Sequence, residues 1–451
     1  MGGERPDPEP DGDGDQPTTG FGRRERRISL HFHGRPADGR GRLSARRHDI
    51  GRRSPERDGV QRDRGTPPSS SRDAARRSLK ISPTQSDFLN LSRWVAAWLV
   101  VAEHARSLVF MDYGHLAAPD LLTNAFYFFT GFGHEAVVIF FVISGFLVGG
   151  KAWALSAQGR FSWRRYLADR TSRLYAVLLA ALVLGAGLDA VGLHFFNRYG
   201  LYDMSHEGAV AVVTRSVRES LTWKTFLANG LFLQTILAPP LGSNGPLWSL
   251  AYEWWYYIMF PAAASLIFRQ GKAAVAAGLL LTLFCLLFLP QEILRLFGVW
   301  LLGVVASVWQ KRVPPWWLAG FVLVLTLVFV RAEWIRIPMG WEYALGAAFM
   351  LALVSLAGRE TRLPGADLSA RLADFSYSVY LTHFPVLMVS VSAAFTLMGY
   401  GIKEPFGWQG IIFYVTLFAG AISAAWAISR GTEAKTNILR MKLYKWIKVL
   451  K

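Results

Sequence analysis

Ten long apolar blocks, joined by short polar loops, fill most of residues 86–430. A helix that crosses a bilayer needs about 20 mostly apolar residues, because the hydrocarbon core is about 30 Å thick. Only 18% of the residues are charged, against about 25% in typical soluble domains. The sequence therefore predicts an all-α membrane protein with about ten transmembrane helices. The blocks are 87–110, 134–150, 174–196, 247–268, 274–290, 293–309, 317–333, 340–357, 375–398 and 408–429.

Basic residues cluster in alternate loops, and loops on the cytoplasmic side of a membrane carry the excess of Lys and Arg. These clusters fall on one side only if a further apolar stretch, 226–237, does not cross the membrane. We therefore predict a re-entrant or interfacial segment there, on the outer face. Both termini are then cytoplasmic, in a multi-pass protein of the cell (cytoplasmic) membrane. Four basic residues lie outside in this arrangement, against the rule: Arg198, Arg215, Arg218 and Lys224.

The two ends of the chain differ from the apolar part. Residues 1–80 are rich in Arg, Asp, Gly, Pro and Ser without helical or strand periodicity, which predicts a disordered basic segment. A flexible tail and an over-extended start of the sequence are both open readings of it. Residues 431–451 end in a run of Lys among apolar residues, which predicts an amphipathic helix on the inner leaflet.

The net charge of +17 is explained by membrane orientation, so no nucleic-acid partner is predicted. The single cysteine, Cys285, excludes an internal disulfide and any site built from several cysteines. Paired-histidine spacing is missing as well, so no metal is predicted.

Ionisable residues inside predicted spans are costly, and each is a functional hypothesis. Arg93 and His104 lie eleven residues apart in the first span, about 16 Å along one helix face. Glu253 lies about two turns into the fourth span, at a depth similar to that of His104, which is a candidate partner. Histidine is the usual general base near neutral pH. A packing histidine, a snorkelling arginine and a structural carboxylate are the alternative readings.

Two further motifs carry polar residues. His383 is followed by Pro385, which removes one backbone hydrogen bond and is expected to kink the ninth span. The small pair Ser144 and Gly145 lies in the second span, where such pairs usually mark a close helix contact. A position along a substrate path is the rarer alternative for Ser144.

Four motifs, in order across most of 86–429, resemble those of the acyltransferase-3 family of integral membrane O-acyltransferases. Each is weak alone, but four in order with the family's spacing are specific. The sequence departs from the common pattern at Asn90, Glu103, Ala176 and Thr382. The motifs are Arg93-x10-His104; Phe140–Leu147 followed by Arg170-x-x-Arg173; Leu247–Glu253 with Tyr257 and Pro261; and Tyr377–Pro385.

The resemblance implies transfer of an acyl group, expected to be acetyl, from cytoplasmic acyl-CoA to a hydroxyl of an exported acceptor such as a cell-surface glycan. A lipid-linked or small-molecule acceptor is also open. By position, His104 would be the catalytic base and Glu253 an acidic residue of the core. Three arginines would serve the donor: Arg93, Arg170 and Arg173. The residues that would line a substrate path are Ser144, Trp248, Ser249, Tyr257 and His383.

Two other classes remain open at this point. A multi-span transporter or flippase of a glycan or an acyl carrier would favour broken helices and an inverted repeat, and no clear repeat is visible. A lipid-linked glycosyltransferase would be expected to carry acidic residues in its first outer loop, where Asp112 and Asp120 lie.

Overall fold

The computed structural model describes residues 81–116, 118–203, 215–268, 271–309, 314–332, 340–399 and 406–449. The predicted disordered segment 1–80 lies outside these ranges. Every regular element within them is helical, as the all-α prediction requires.

The helices follow one another with short connections. In chain order they are α1 Pro83–Val109, α2 Leu121–Phe129, α3 Gly133–Ser144, a π-helical turn Gly145–Gly149, α4 Gly150–Ala157, α5 Trp163–Phe195, α6 Val217–Ser220, α7 Trp223–Gly230, α8 Trp248–Phe268, α9 Lys272–Phe288, α10 Gln291–Val308, α11 Trp316–Arg331, α12 Trp341–Ser355, α13 Ala366–Ala373, α14 Ser376–Met398, α15 Trp408–Gly431 and α16 Thr436–Val449.

Every predicted apolar block coincides with helix in the described ranges. Among the described residues, five helical segments are long and apolar enough to cross a membrane, and three shorter apolar helices, α9, α11 and α12, accompany them. The crossing of a membrane by all ten blocks stays a prediction. The five segments are 121–157, 163–195, 291–308, 376–398 and 408–447.

The stretch 226–237 forms no long helix. Helix α7 has eight residues, about 12 Å, and the turn after it contains Phe232 and Thr235 at positive φ angles of 58° and 65°. This turn packs against the bundle on one side: Phe232 is buried and Leu237 is exposed. The Tyr175 hydroxyl donates to the Gly230 carbonyl at 2.5 Å. The Trp255 indole N–H also donates to the Phe232 carbonyl at 3.1 Å. The re-entrant or interfacial position of this segment stays a prediction.

The start of α1 is set by local capping residues and is held in place by contacts with a loop much later in the chain. Ser82 and Gln85 form a capping box, and Pro83 occupies the first turn. The Thr84 hydroxyl lies 3.0 Å from the Arg359 carbonyl oxygen. The Arg362 guanidinium donates to Asp87 at 2.8 Å. The loop 356–365 therefore lies beside the first turn of α1.

Several basic segments meet at this same end of the bundle. Arg173 of α5 pairs with Glu433 at 3.3 Å, and the Glu433 carboxylate also accepts from the backbone N–H of Ser378 at 3.0 Å. The Tyr444 hydroxyl of α16 donates to Asp169 at 2.6 Å. We call the end formed by 81–93, 151–173, 356–378 and 433–449 the basic end. The predicted amphipathic tail is helical and packs against α5 there.

Candidate active site

Two histidines from different helices are in direct contact inside the bundle. His104 Nδ1 of α1 lies 2.8 Å from His383 Nε2 of α14, and the two ring planes differ by 6°. His383 is fully buried, whereas His104 is partly exposed. The sequence singled out both residues but did not pair them, because helical periodicity says nothing about which helix faces which.

The backbone of α14 holds the ring of His383 in place. His383 Nδ1 lies 3.0 Å from the carbonyl oxygens of both Val379 and Tyr380, one turn earlier. Two residues further along, Pro385 lies within the helix, as the sequence predicts, and cannot donate to the Leu381 carbonyl. Asn244 Nδ2 donates to that carbonyl instead, at 2.9 Å. Asn244, just before the fourth block, thus supplies the donor for the carbonyl that Pro385 leaves free next to His383.

Glu253 lies in a separate buried polar cluster. It accepts a hydrogen bond from the Ser144 hydroxyl, which in turn accepts from the Trp300 indole N–H at 3.0 Å. The Tyr257 hydroxyl is 3.5 Å from Ser144 Oγ. Ser144 and Glu253 are completely buried. Ser144, which the sequence singled out as a helix-contact or substrate-path residue, is therefore in direct contact with Glu253. The pairing of Glu253 with His104 stays a prediction.

The segment that carries Ser144 has an unusual backbone. Helix α3 passes at Gly145 into a π-helical turn, a feature that is frequent at functional sites. A Cβ atom at Gly145 would collide with the Trp300 carbonyl, and one at Gly303 would collide with the Val142 carbonyl. The Ser144–Gly145 pair thus makes the close helix contact that its small residues predict.

Arg93 is buried at the basic end, close to the start of α14. Its guanidinium donates to the Ala373 carbonyl at 2.8 Å and lies 3.4 Å from Ser376 Oγ. His383 follows Ser376 by seven residues, about 10 Å along the helix axis. A cavity of about 190 Å³ opens beside Arg93, lined among others by Ser86, Asn90 and Leu147.

The two arginines of α5 that the resemblance assigns to the donor have different surroundings. Arg173 is paired with Glu433, and its guanidinium lies 5.8 Å from the centre of the Tyr377 ring. Arg170 lies 5.8 Å from the ring centres of both Tyr166 and Tyr257. No carboxylate forms an ion pair with Arg170 in the part of the chain that is described. A continuous set of contacts therefore leads from Arg170 through Tyr257 and Ser144 to Glu253.

The remaining predicted residues lie on α8 near Glu253. Trp248 is almost fully buried and packs edge-on against Tyr252, with 4.7 Å between ring centres. Ser249 is also buried, and its hydroxyl faces the Pro246 carbonyl at 3.5 Å. Within the described ranges, no group of three or more His, Cys, Asp or Glu side chains is arranged to hold a metal ion.

Three residues of these clusters escaped the sequence analysis: Asn244, Trp300 and Glu433. The sequence indicates that a donor is needed for the carbonyl that Pro385 leaves free within its helix, but not that Asn244 supplies it. Trp300 and Glu433 have no such signal, since their partners are more than 50 residues away in the chain.

Comparison with known proteins identifies the family of the chain. A family model described as an acyltransferase domain, of the acyltransferase-3 family, matches residues 86–430. The O-acetyl transferase of Shigella phage Sf6 is 22% identical over 68% of this chain and 86% of its own length. Acyltransferase MdmB of Streptomyces mycarofaciens is 24% identical over 65% and 77%, respectively. Nodulation protein 10 of Rhizobium leguminosarum bv. viciae is 26% identical over 66% and 82%. No solved structure matches the chain.

The helical architecture, its five long apolar segments and the family indicate an integral membrane enzyme. The chain belongs to the acyltransferase-3 family. The family and its O-acetyl transferase relative support an O-acyltransferase.

Proposed function

We propose that the protein moves an acyl group from cytoplasmic acyl-CoA to a hydroxyl of an exported acceptor, with His104 as general base. The observation that carries this proposal is the contact between the partly exposed His104 and the buried His383. A base that is oriented by a second group is the usual arrangement for activating a hydroxyl.

The proposed reaction is a direct transfer. His104 takes the proton of the acceptor hydroxyl while that oxygen attacks the thioester carbonyl. The C–O bond forms, the C–S bond breaks, and the imidazolium returns its proton to the departing thiolate. Positioned proton transfer of this kind contributes about 10²–10⁴-fold to a rate. The burial of Glu253 against Ser144 supports a role in shaping the site rather than in taking the proton.

The donor would be held at the basic end. Arg170 is the first choice for a phosphate contact, since no carboxylate in the described chain pairs with it, and arginine binds phosphate through parallel hydrogen bonds. Arg93 borders the cavity of about 190 Å³, and Arg173 fixes the neighbouring start of α14 through Glu433. An extended pantetheine arm would run from this end toward the histidine pair.

We place the basic end in the cytoplasm, following the positive-inside rule. The ten blocks then cross the membrane, and the turn after α7 is a re-entrant loop from the outer face. Cysteines introduced at Arg160 and Trp223, both exposed, are expected to react with an impermeant thiol reagent from opposite sides of the membrane. Labelling of both from one side would contradict this topology.

The name of the phage relative, O-acetyl transferase, favours acetyl as the group that is moved. Because the proposed acceptor is exported, the candidates are a surface glycan, a lipid-linked sugar and a secreted small molecule with a free hydroxyl.

The decisive experiment uses membranes that contain the full chain and acetyl-CoA labelled in the acetyl group. His104→Ala is expected to lose at least about 10²-fold in transfer to cell-surface material. His115→Ala is the matched control, because His115 is exposed and lies outside the histidine pair. Turnover of His104→Ala at the wild-type rate would refute the proposal.

A further inference from the structure

We propose that His383 is a positioning residue that fixes the tautomer of His104, so that Nε2 of His104 is the reacting base. This inference deepens the proposed function and rests on it for its catalytic meaning. The tautomer itself depends only on the hydrogen bonds of the two rings.

His383 Nδ1 faces two backbone carbonyl oxygens, those of Val379 and Tyr380, each at 3.0 Å. A carbonyl oxygen only accepts hydrogen bonds, so Nδ1 of His383 must carry a hydrogen. The shared hydrogen bond also restricts rotation of the ring.

His383 Nε2 faces His104 in a fully buried setting. In the described part of the chain the ring of His383 contacts His104, Tyr380, Phe384 and the backbone, none of them acidic. A buried cation without an anionic partner is strongly disfavoured. His383 is therefore neutral, and with Nδ1 protonated its Nε2 offers a lone pair.

The protonation of His383 determines that of His104. His104 Nδ1 lies 2.8 Å from His383 Nε2, which offers only a lone pair, so the hydrogen between the two rings belongs to His104 Nδ1. A neutral His104 then has an unprotonated Nε2, on the side of the ring away from His383. His383 thus does for His104 what a carboxylate does in many hydrolases: it accepts from one nitrogen and leaves the other as the base.

A neutral orienting partner has a chemical consequence. A carboxylate would stabilise the imidazolium that forms when the base takes a proton, whereas His383 offers only a dipole. His383 therefore contributes less to holding the added proton on His104 than a carboxylate in its place would.

The tautomer is tested directly by nitrogen NMR of the full chain, labelled with ¹⁵N-histidine in lipid nanodiscs at neutral pH. His104→Gln identifies the signals of His104. We expect Nδ1 of His104 to be protonated and Nε2 to be unprotonated. The opposite tautomer, or an imidazolium at either residue, would overturn the inference whatever the enzyme does.

The catalytic meaning is tested by kinetics with acetyl-CoA. His383→Ala is expected to lower kcat about 10²-fold or more while the KM for acetyl-CoA stays within about twofold, because the donor end is untouched. His383→Gln offers a side-chain oxygen that accepts from His104 Nδ1, and it is expected to recover most of the loss. Thr382→Val is the matched control: its buried hydroxyl donates only to the Ser378 carbonyl of its own helix.

The outcomes separate the two proposals. Unchanged kcat in His383→Ala would overturn the positioning role, as would equal losses in the Ala and Gln variants. If the NMR tautomer is as expected but His104→Ala is fully active, the proposed function fails while the hydrogen-bond assignment stands. The NMR measurement needs only wild-type protein and one assignment variant, so a poorly folding His383→Ala would not remove the test.

Discussion

The Ser144 hydroxyl donates to the Glu253 carboxylate across two helices that lie 109 residues apart in the chain. This contact joins the end of α3, just before the π-helical turn, to α8, and the Trp300 indole of α10 donates to the same hydroxyl. A completely buried carboxylate is costly unless its hydrogen bonds are made. The cluster therefore joins two of the four resemblance-bearing segments, those that carry Ser144 and Glu253, around a single buried acid.

Removing the Ser144 hydroxyl tests this coupling. Ser144→Ala is expected to cost about 1.5–3 kcal/mol of stability, the range for hydrogen bonds to charged groups, because a buried carboxylate loses a donor. Thermal unfolding in detergent measures the loss. Ser307→Ala on α10 is the matched control, since its hydroxyl donates to the Val304 carbonyl of its own helix. Equal melting temperatures for the two variants would contradict the coupling.

The backbone contact beside Ser144 leads to a second prediction. Gly145→Ala and Gly303→Ala place a methyl group against a carbonyl of the facing helix, so each is expected to destabilise the protein by about 1–3 kcal/mol. Gly187→Ala on α5 has open space around its Cβ position and serves as control. The same unfolding measurement applies. A Gly303→Ala variant as stable as Gly187→Ala would show that the two helices are further apart.

Arg170 is expected to act on donor binding alone. Arg170→Gln removes the guanidinium but keeps a polar side chain, so the KM for acyl-CoA should rise about tenfold with little change in kcat. Arg165→Gln, exposed on the same helix, is the matched control. The measurement is an initial-rate series over acyl-CoA concentration. A fall in kcat without a change in KM would place Arg170 outside the donor site.

The docking of α16 is expected to depend on pH. Burial, together with the hydrogen bond to Asp169, raises the pKa of Tyr444 to about 12. A raised pKa means that the neutral phenol stabilises the folded state. The contribution of the neutral phenol to stability is full below pH 10, the ordinary pKa of tyrosine, and is lost as the pH rises through 12. A spin label at Lys442→Cys, on a Cys285→Ser background, should therefore gain mobility over this range. With Tyr444→Phe, the label's mobility should not change between pH 10 and 12; the same transition in that variant would exclude Tyr444 as its cause.

The sequence by itself determined the helices. Long apolar blocks must form helices in a membrane because every backbone polar group needs an internal partner there. The observed bounds accordingly agree with the predicted blocks to within a few residues, except where α4 and α5 extend beyond them at their polar ends. The family motifs and the costly polar residues within the blocks, such as Arg93 and His104, were also visible, since each breaks the apolar pattern.

Only the tertiary structure decided which of those residues meet. A periodic pattern defines a face of one helix but not the helix that packs against it, so the pairing of His104 with His383 could not be deduced. The same holds for Ser144 with Glu253. The carbonyl that Pro385 frees could be deduced from the chain, but its donor Asn244 could not. Side-chain partners across a bundle depend on packing of whole helices, and that packing is a property of all the contacts together.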